Sequence, residues 1–138
     1  MSKKFYFAYG ANMNPDSMAR RCPDATNPQT FILQDWQLKF HSHATIEPVT
    51  GSEVWGMLWE ITPECERSLD SFEGFPYYYT KREYVQDGVE FFFYEMADYL
   101  DGVPSQDYVD DIHWVYQAYD MPVEHLIRAL DNEYSYSN

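Results

Sequence analysis

The 138-residue sequence predicts an α+β fold, a mixed β-barrel with flanking helices, and three observations carry that reading. Extended, aromatic-rich segments dominate the middle of the chain, helical segments are inserted among them or follow them, and consecutive strands are joined as hairpins, most plainly across Asp87-Gly88. A chain of this length reads as one domain over 1–138, large enough to bury about two-thirds of its unfolded surface.

Each element follows from local chemistry. Lys4 to Tyr9 is short, aromatic and ended by Gly10, as a buried strand would be. Asn14 caps a short helix whose first residue is Pro15 and whose dipole Asp16 complements; Cys22-Pro23 stops it. Thr30 to Thr45 alternates as one long or two short strands, Val49 to Glu53 reads as a turn, and Val54 to Ile61 is a nearly continuous apolar strand. Gly56 within that strand marks a bulge or a close approach of backbones. Thr62-Pro63-Glu64 starts a second helix that runs to Phe72, with Glu73 at or just past its end. Tyr77 to Gln86 and Val89 to Met96 form the hairpin. A polar loop from Ala97 to Val103 leads to Pro104-Ser105, which opens a helix with apolar residues at Tyr108, Ile112, Val115 and Tyr119. Met121-Pro122 breaks it, Val123 to Leu130 makes a further amphipathic segment, and Tyr134 to Asn138 is a tail.

Composition narrows the function. An aromatic fraction of 19% argues against disorder, and a mean hydropathy of -0.57 without a long apolar run argues against a membrane span or a secretory leader, so a cytoplasmic protein is expected. The net charge of -14 makes nucleic acid and anionic membranes poor partners. Cys22 and Cys65 lack metal or CxxC spacing, and reduced, half-buried thiols are expected. His41 and His43 share a strand face on this reading, but without a third ligand they read as solvent-facing; no metal or other cofactor is called for.

Two stretches carry candidate chemistry. In L-D-S-F-E-G-F-P-Y-Y-Y-T-K-R (Leu69 to Arg82), Glu73 is surrounded by aromatic residues that can desolvate its carboxyl and raise its pKa, as a general acid/base requires; the plainer reading is an exposed last turn closed by Gly74. Tyr9, Gly10, Ala11 and Asn12 form a loop between strand and helix whose backbone N–H groups can hold a carboxylate or an oxyanion, although the same loop serves equally as a structural turn. Tyr79, Tyr94 and Tyr108 are core or rim residues taken singly, and together can line a pocket.

Y-G-A-N after the first strand, L-D-S-F-E-G-F-P-Y-Y-Y after a strand and helix, F-Y-E-M on the hairpin and P-S-x-x-Y opening the long helix occur in one order over about Phe5 to Val123. In this the sequence resembles the gamma-glutamylcyclotransferase-like family, which includes the AIG2-like proteins. It departs from the usual Y-G-S-N at Ala11, which removes a hydroxyl and keeps the backbone donors. The resemblance implies release of 5-oxoproline from a small gamma-glutamyl amine or amino acid, with no cofactor. It implies Glu73 as general acid/base, the amides of Gly10 to Asn12 as anion donors, and Tyr79, Tyr94 and Tyr108 as substrate-orienting residues. A small-molecule binding module without turnover and an interaction protein are the competing classes; neither the leaving amine nor the oligomeric state follows from the sequence.

Overall fold

The computed structural model describes the backbone of residues 4–97 and 102–135, and side chains up to residue 130. Five strands form one mixed sheet in the order β2-β3-β1-β5-β4: β1 is Lys4–Ala8, β2 Thr26–Phe40, β3 Ala44–Ile61, β4 Tyr79–Gln86 and β5 Val89–Met96. Strand β1 lies antiparallel to β3 and parallel to β5. The helices are α1 (Pro15–Arg21), α2 (Pro63–Glu73), α3 (Gln106–Ala118) and α4 (Val123–Ser135), and a single 3-10 turn occupies Ala11–Met13.

The mixed α+β class is what the sequence predicts, whereas the closed barrel is not formed. Strands β2 and β4 are the sheet's edges, and no backbone ladder joins them among the described residues. The edges are linked by one side chain instead. Gln86, at the end of β4, accepts from the Gln34 N–H at 2.8 Å and donates to the Ile32 carbonyl at 2.8 Å. A side-chain amide carries the same donor and acceptor as a peptide group, so it satisfies both β2 groups without extending the ladder.

The caps act as their residues predict. Asn14 accepts from the Asp16 N–H, Thr62 from Cys65 and Ser105 from Tyr108, each opening a helix. Asp87 and Gly88 both take positive φ, 52° and 80°, which matches a two-residue hairpin turn. Gly56 is a close approach: a Cβ there would lie 2.3 Å from the Ala8 carbonyl oxygen, so a side chain would push β3 away from β1. The expected turn at Val49 to Glu53 is instead part of β3. Asp35 opposite it takes a φ of 67°, Gly51 one of 87°, and the Gly51 N–H donates to Asp35 Oδ1 at 2.9 Å. The register slips between Gln34 and Trp36 and then resumes, which is a bulge. His41 to His43 likewise fall in the connection between β2 and β3 rather than on a strand face. Residues 98–101 of the expected polar loop and 136–138 of the expected tail lie outside the described residues, and α4 continues to Ser135.

Aromatic rings fill the sheet interior. Phe7, Phe31, Phe91, Phe93, Tyr84 and Trp36 contact one another with centroids 5.0 to 6.3 Å apart, mostly tilted or edge-on. Cys22 and Cys65 are both buried and are paired across α1 and α2, with Cα atoms 5.0 Å apart. The sequence reading of separate, half-buried thiols is corrected here: 43 residues apart in the chain, they meet because α1 packs on α2.

Candidate active site

A cavity of about 430 Å³ opens where the end of α2, the loop after β1 and the start of α3 meet the sheet. Tyr9 to Asn12 enter it from the loop, Glu73 from the last residue of α2, Tyr79 from the start of β4, Tyr94 from β5 and Tyr108 from α3. All eight residues singled out in the sequence therefore line one cavity.

Glu73 is placed there by its neighbour. Gly74 takes a left-handed conformation (φ 66°, ψ 37°), and its N–H and that of Phe75 close the helix onto the Asp70 and Ser71 carbonyls. A Cβ on Gly74 would meet Tyr78 Cδ2 at 2.5 Å. The helix end and the glutamate in the cavity are thus one feature. Part of Glu73 reaches the surface, but its carboxyl is enclosed, and burial raises its pKa from the ordinary 4.5 to about 7, with Arg21 partly offsetting the rise. The Arg21 guanidinium itself lies over the Phe72 ring, its Cζ 3.7 Å from the centroid. No hydrogen bond or ion pair to the Glu73 carboxyl forms among the described residues.

The tyrosines are held by named partners. Tyr9 donates its hydroxyl proton to the Tyr94 carbonyl at 2.5 Å, Tyr94 to Asp70 Oδ1 at 2.6 Å, and Tyr79 to the Ala44 carbonyl at 2.7 Å. Tyr108 accepts from the Ala44 N–H at 3.1 Å. Burial pushes all four phenols above their usual value, so they stay neutral through the physiological range. The loop is pinned from behind, where Trp59 Nε1 donates to the Asn12 carbonyl at 3.1 Å and the Asn12 amide reaches Tyr6 at 3.3 Å. Below the cavity, Lys81 joins Asp70 at 2.8 Å and Glu66 at 2.6 Å.

Sequence reasoning missed Tyr6, His43, Phe72 and Tyr78 as lining residues. Tyr6 could have been found: in β1 it alternates with Phe7, and its hydroxyl needs a polar neighbour when buried. His43 could not, because its position depends on the β2–β3 connection meeting Tyr108, whose ring is 5.1 Å away.

Enclosed carboxyl, loop amides and hydroxyls together can exchange a proton and hold an anion, and known proteins share the framework. The family model described as "Gamma-glutamyl cyclotransferase, AIG2-like" matches residues 6–125. Bovine and human proteins named gamma-glutamylcyclotransferase are each 35% identical over 81 aligned positions, covering 50% of this chain and 43% of theirs, so the match spans less than half of those relatives. A solved gamma-glutamyl cyclotransferase superposes with a TM-score of 0.80 at 27% identity, over 93% of this chain and 86% of the other. A human protein titled as uncharacterized gives 0.79 at 28%, over 94% and 87%. A yeast gamma-glutamyl cyclotransferase specific to glutathione shares the fold alone, at 0.65 and 12% identity, over 99% and 97%. Matched along 120 of its 138 residues (6 through 125), the chain belongs to the gamma-glutamyl cyclotransferase, AIG2-like family.

Proposed function

We propose that this protein is a gamma-glutamyl cyclotransferase that releases 5-oxoproline from a small gamma-glutamyl amine or amino acid. The observation that carries the reading is Glu73, an enclosed carboxyl with a pKa of about 7 at the edge of the cavity that the loop amides also line. In its ionised form it takes a proton from the substrate's α-ammonium. The freed amine attacks the γ-carbonyl carbon of the same molecule, closing a five-membered ring and forming a tetrahedral oxyanion. Backbone N–H groups of Gly10, Ala11 and Asn12 are the donors offered to that oxyanion or to the α-carboxylate. The bond to the leaving nitrogen then breaks as Glu73 returns the proton to it, and the ring nitrogen gives up its second proton to the departing amine, so the products are 5-oxoproline and a protonated amine. A group that both takes and gives a proton works best with a pKa near the operating pH.

Tyr79, Tyr94 and Tyr108 orient the substrate in this scheme. Ala11, where the family usually has serine, contributes through its backbone alone. The reaction as written needs no metal or other cofactor, because bond making and breaking are coupled to proton transfers alone. Assay of 5-oxoproline with a panel of gamma-glutamyl amines and amino acids is the test. Glu73→Gln is expected to lower kcat by about 10² to 10⁴-fold, and unchanged turnover overturns the role. Saturable binding of the same compounds by calorimetry, without product from the unaltered protein, points to a binding module instead.

A further inference from the structure

A second cavity, of about 240 Å³, shares no lining residue with the candidate active site. The bulge between β2 and β3 makes one wall. Gln34 pairs with Glu53 and Trp36 with Pro48, so 49–52 stand against Asp35 alone and bow out of the ladder. This wall presents Ser52 and Glu53. Helix α4 contributes His125 and Arg128, at i and i+3 and so on one face, and α3 contributes Tyr116.

Two features of this lining call for a ligand. Tyr116 is 1% exposed, yet its hydroxyl has no hydrogen-bond partner among the described residues. A buried hydroxyl is ordinarily paired, and burial pushes this phenol up, so it keeps a proton to donate. The second feature is a separated pair of charges. Arg128 and Glu53 line the same small space, and no ion pair joins them or ties either to another described residue. Trp55 Nε1 donates to Glu53 Oε2 at 2.6 Å, which holds the carboxylate in place and leaves its other oxygen without a partner among the described residues.

We propose that this cavity binds a small zwitterion of the α-amino acid class: Arg128 and the Tyr116 hydroxyl hold its carboxylate, and Glu53 holds its ammonium group. Guanidinium and phenol offer donors, and an ionised carboxylate only accepts, so a ligand carrying both charges bridges what the protein leaves apart. A phosphate monoester would set like charge against Glu53, and a simple amine would do so against Arg128. The volume lies below the roughly 300 Å³ at which pockets for drug-sized ligands begin, which suits a single amino acid.

L-Alanine, L-serine and L-glutamine are titrated into isotope-labelled protein, and the indole N–H signal of Trp55, assigned by its loss in Trp55→Phe, is followed by NMR. At least one is expected to shift that signal saturably, while propionate and L-alaninamide, which each lack one of the charges, bind at least about fivefold more weakly. Arg128→Met should weaken the amino acid about tenfold and Tyr116→Phe about fivefold; Glu53→Gln should weaken the amino acid and spare propionate. Tyr116→Phe removes a hydroxyl that bonds to no described residue, so the urea midpoint of the ligand-free protein should not fall, and a lowered midpoint overturns the proposal by showing that the hydroxyl is already paired. It is equally overturned by no saturable shift up to about 20 mM, by propionate binding as well as the amino acids, or by binding that survives Arg128→Met and Tyr116→Phe unchanged.

Discussion

Asp70 and Glu73 stand three residues apart on α2, and their surroundings differ in kind. Asp70 has a lysine at 2.8 Å and a tyrosine hydroxyl at 2.6 Å. The Glu73 carboxyl has neither an ion pair nor a hydrogen bond among the described residues, only enclosure and the more distant influence of Arg21. The first arrangement ties the helix to the sheet; the second stores a proton near neutral pH. Burial costs a charged group free energy unless partners replace water, and the same helix therefore carries a paired carboxylate and, three residues on, an enclosed one with a raised pKa.

The largest consequence of that contrast is kinetic. On the proposed mechanism Glu73 must be ionised to accept the first proton, and with its pKa raised to about 7, kcat/KM is expected to be high above pH 7 and to fall as pH drops through that value. A pH–rate profile of 5-oxoproline release checks this, and a limb near pH 4.5, the ordinary glutamate value, breaks the reading of Glu73 as an enclosed, unpaired acid.

The next effect is on stability, with a sign opposite to that of a paired carboxylate. Glu73 rises from 4.5 to about 7 on folding, so between those values the folded state binds more protons than the unfolded one. Its contribution is most favourable below pH 4.5, is lost progressively up to pH 7 and is flat beyond. The full difference is at most about 3 kcal/mol. Glu73→Gln should therefore stabilise the protein at pH 8 by up to roughly that amount and hardly at all at pH 4. Urea unfolding of both proteins at the two pH values measures it.

On the Asp70 side, Lys81→Met removes an ammonium that lies 4.8 to 5.8 Å from the Phe75, Phe92 and Tyr94 ring centroids, and it leaves Asp70 without a cation and Glu66 with Lys4 alone, at 3.1 Å. Both carboxylates retain some exposure, so a loss of about 2 kcal/mol is expected rather than the larger cost of a fully buried pair. The urea midpoint should fall by a corresponding amount. An unchanged midpoint would mean that this network does not anchor α2.

Much of this was written in local signals. Asn14-Pro15, Thr62-Pro63 and Ser105 mark helix starts because each supplies a cap where free N–H groups need one, and Asp87-Gly88 marks a hairpin because positive φ is required twice. The site was partly legible for the same reason: Gly74 signals a helix end, and the residue before it is aimed by that end. What could not be read depends on pairing between distant segments. Gly51 looks like a turn from its neighbours, and only the resumed ladder with β2 makes it a bulge. Gln86 leaves no trace in the sequence of its link between β4 and β2, so an open sheet and a closed barrel read alike. The meeting of Cys22 with Cys65 and the part of Ala44 in orienting two tyrosines are equally products of tertiary contact.

The smallest expected effect concerns Arg21, which acts on Glu73 without touching it. Its guanidinium lies over Phe72, the residue before Glu73, and its positive charge favours the ionised carboxylate against the dominant pull of burial. Arg21→Met removes the charge while keeping apolar cover on the ring, so the acidic limb of the pH–rate profile should move to higher pH. Arg21→Lys keeps the charge and should leave the limb near its original place, although a lysine stacks less well on the ring. If both variants shift the limb equally, stacking on Phe72 rather than charge sets the glutamate's environment. If only the methionine variant does, Glu73 is balanced between desolvation and one distant cation, which is the condition Asp70 escapes by having its cation in contact.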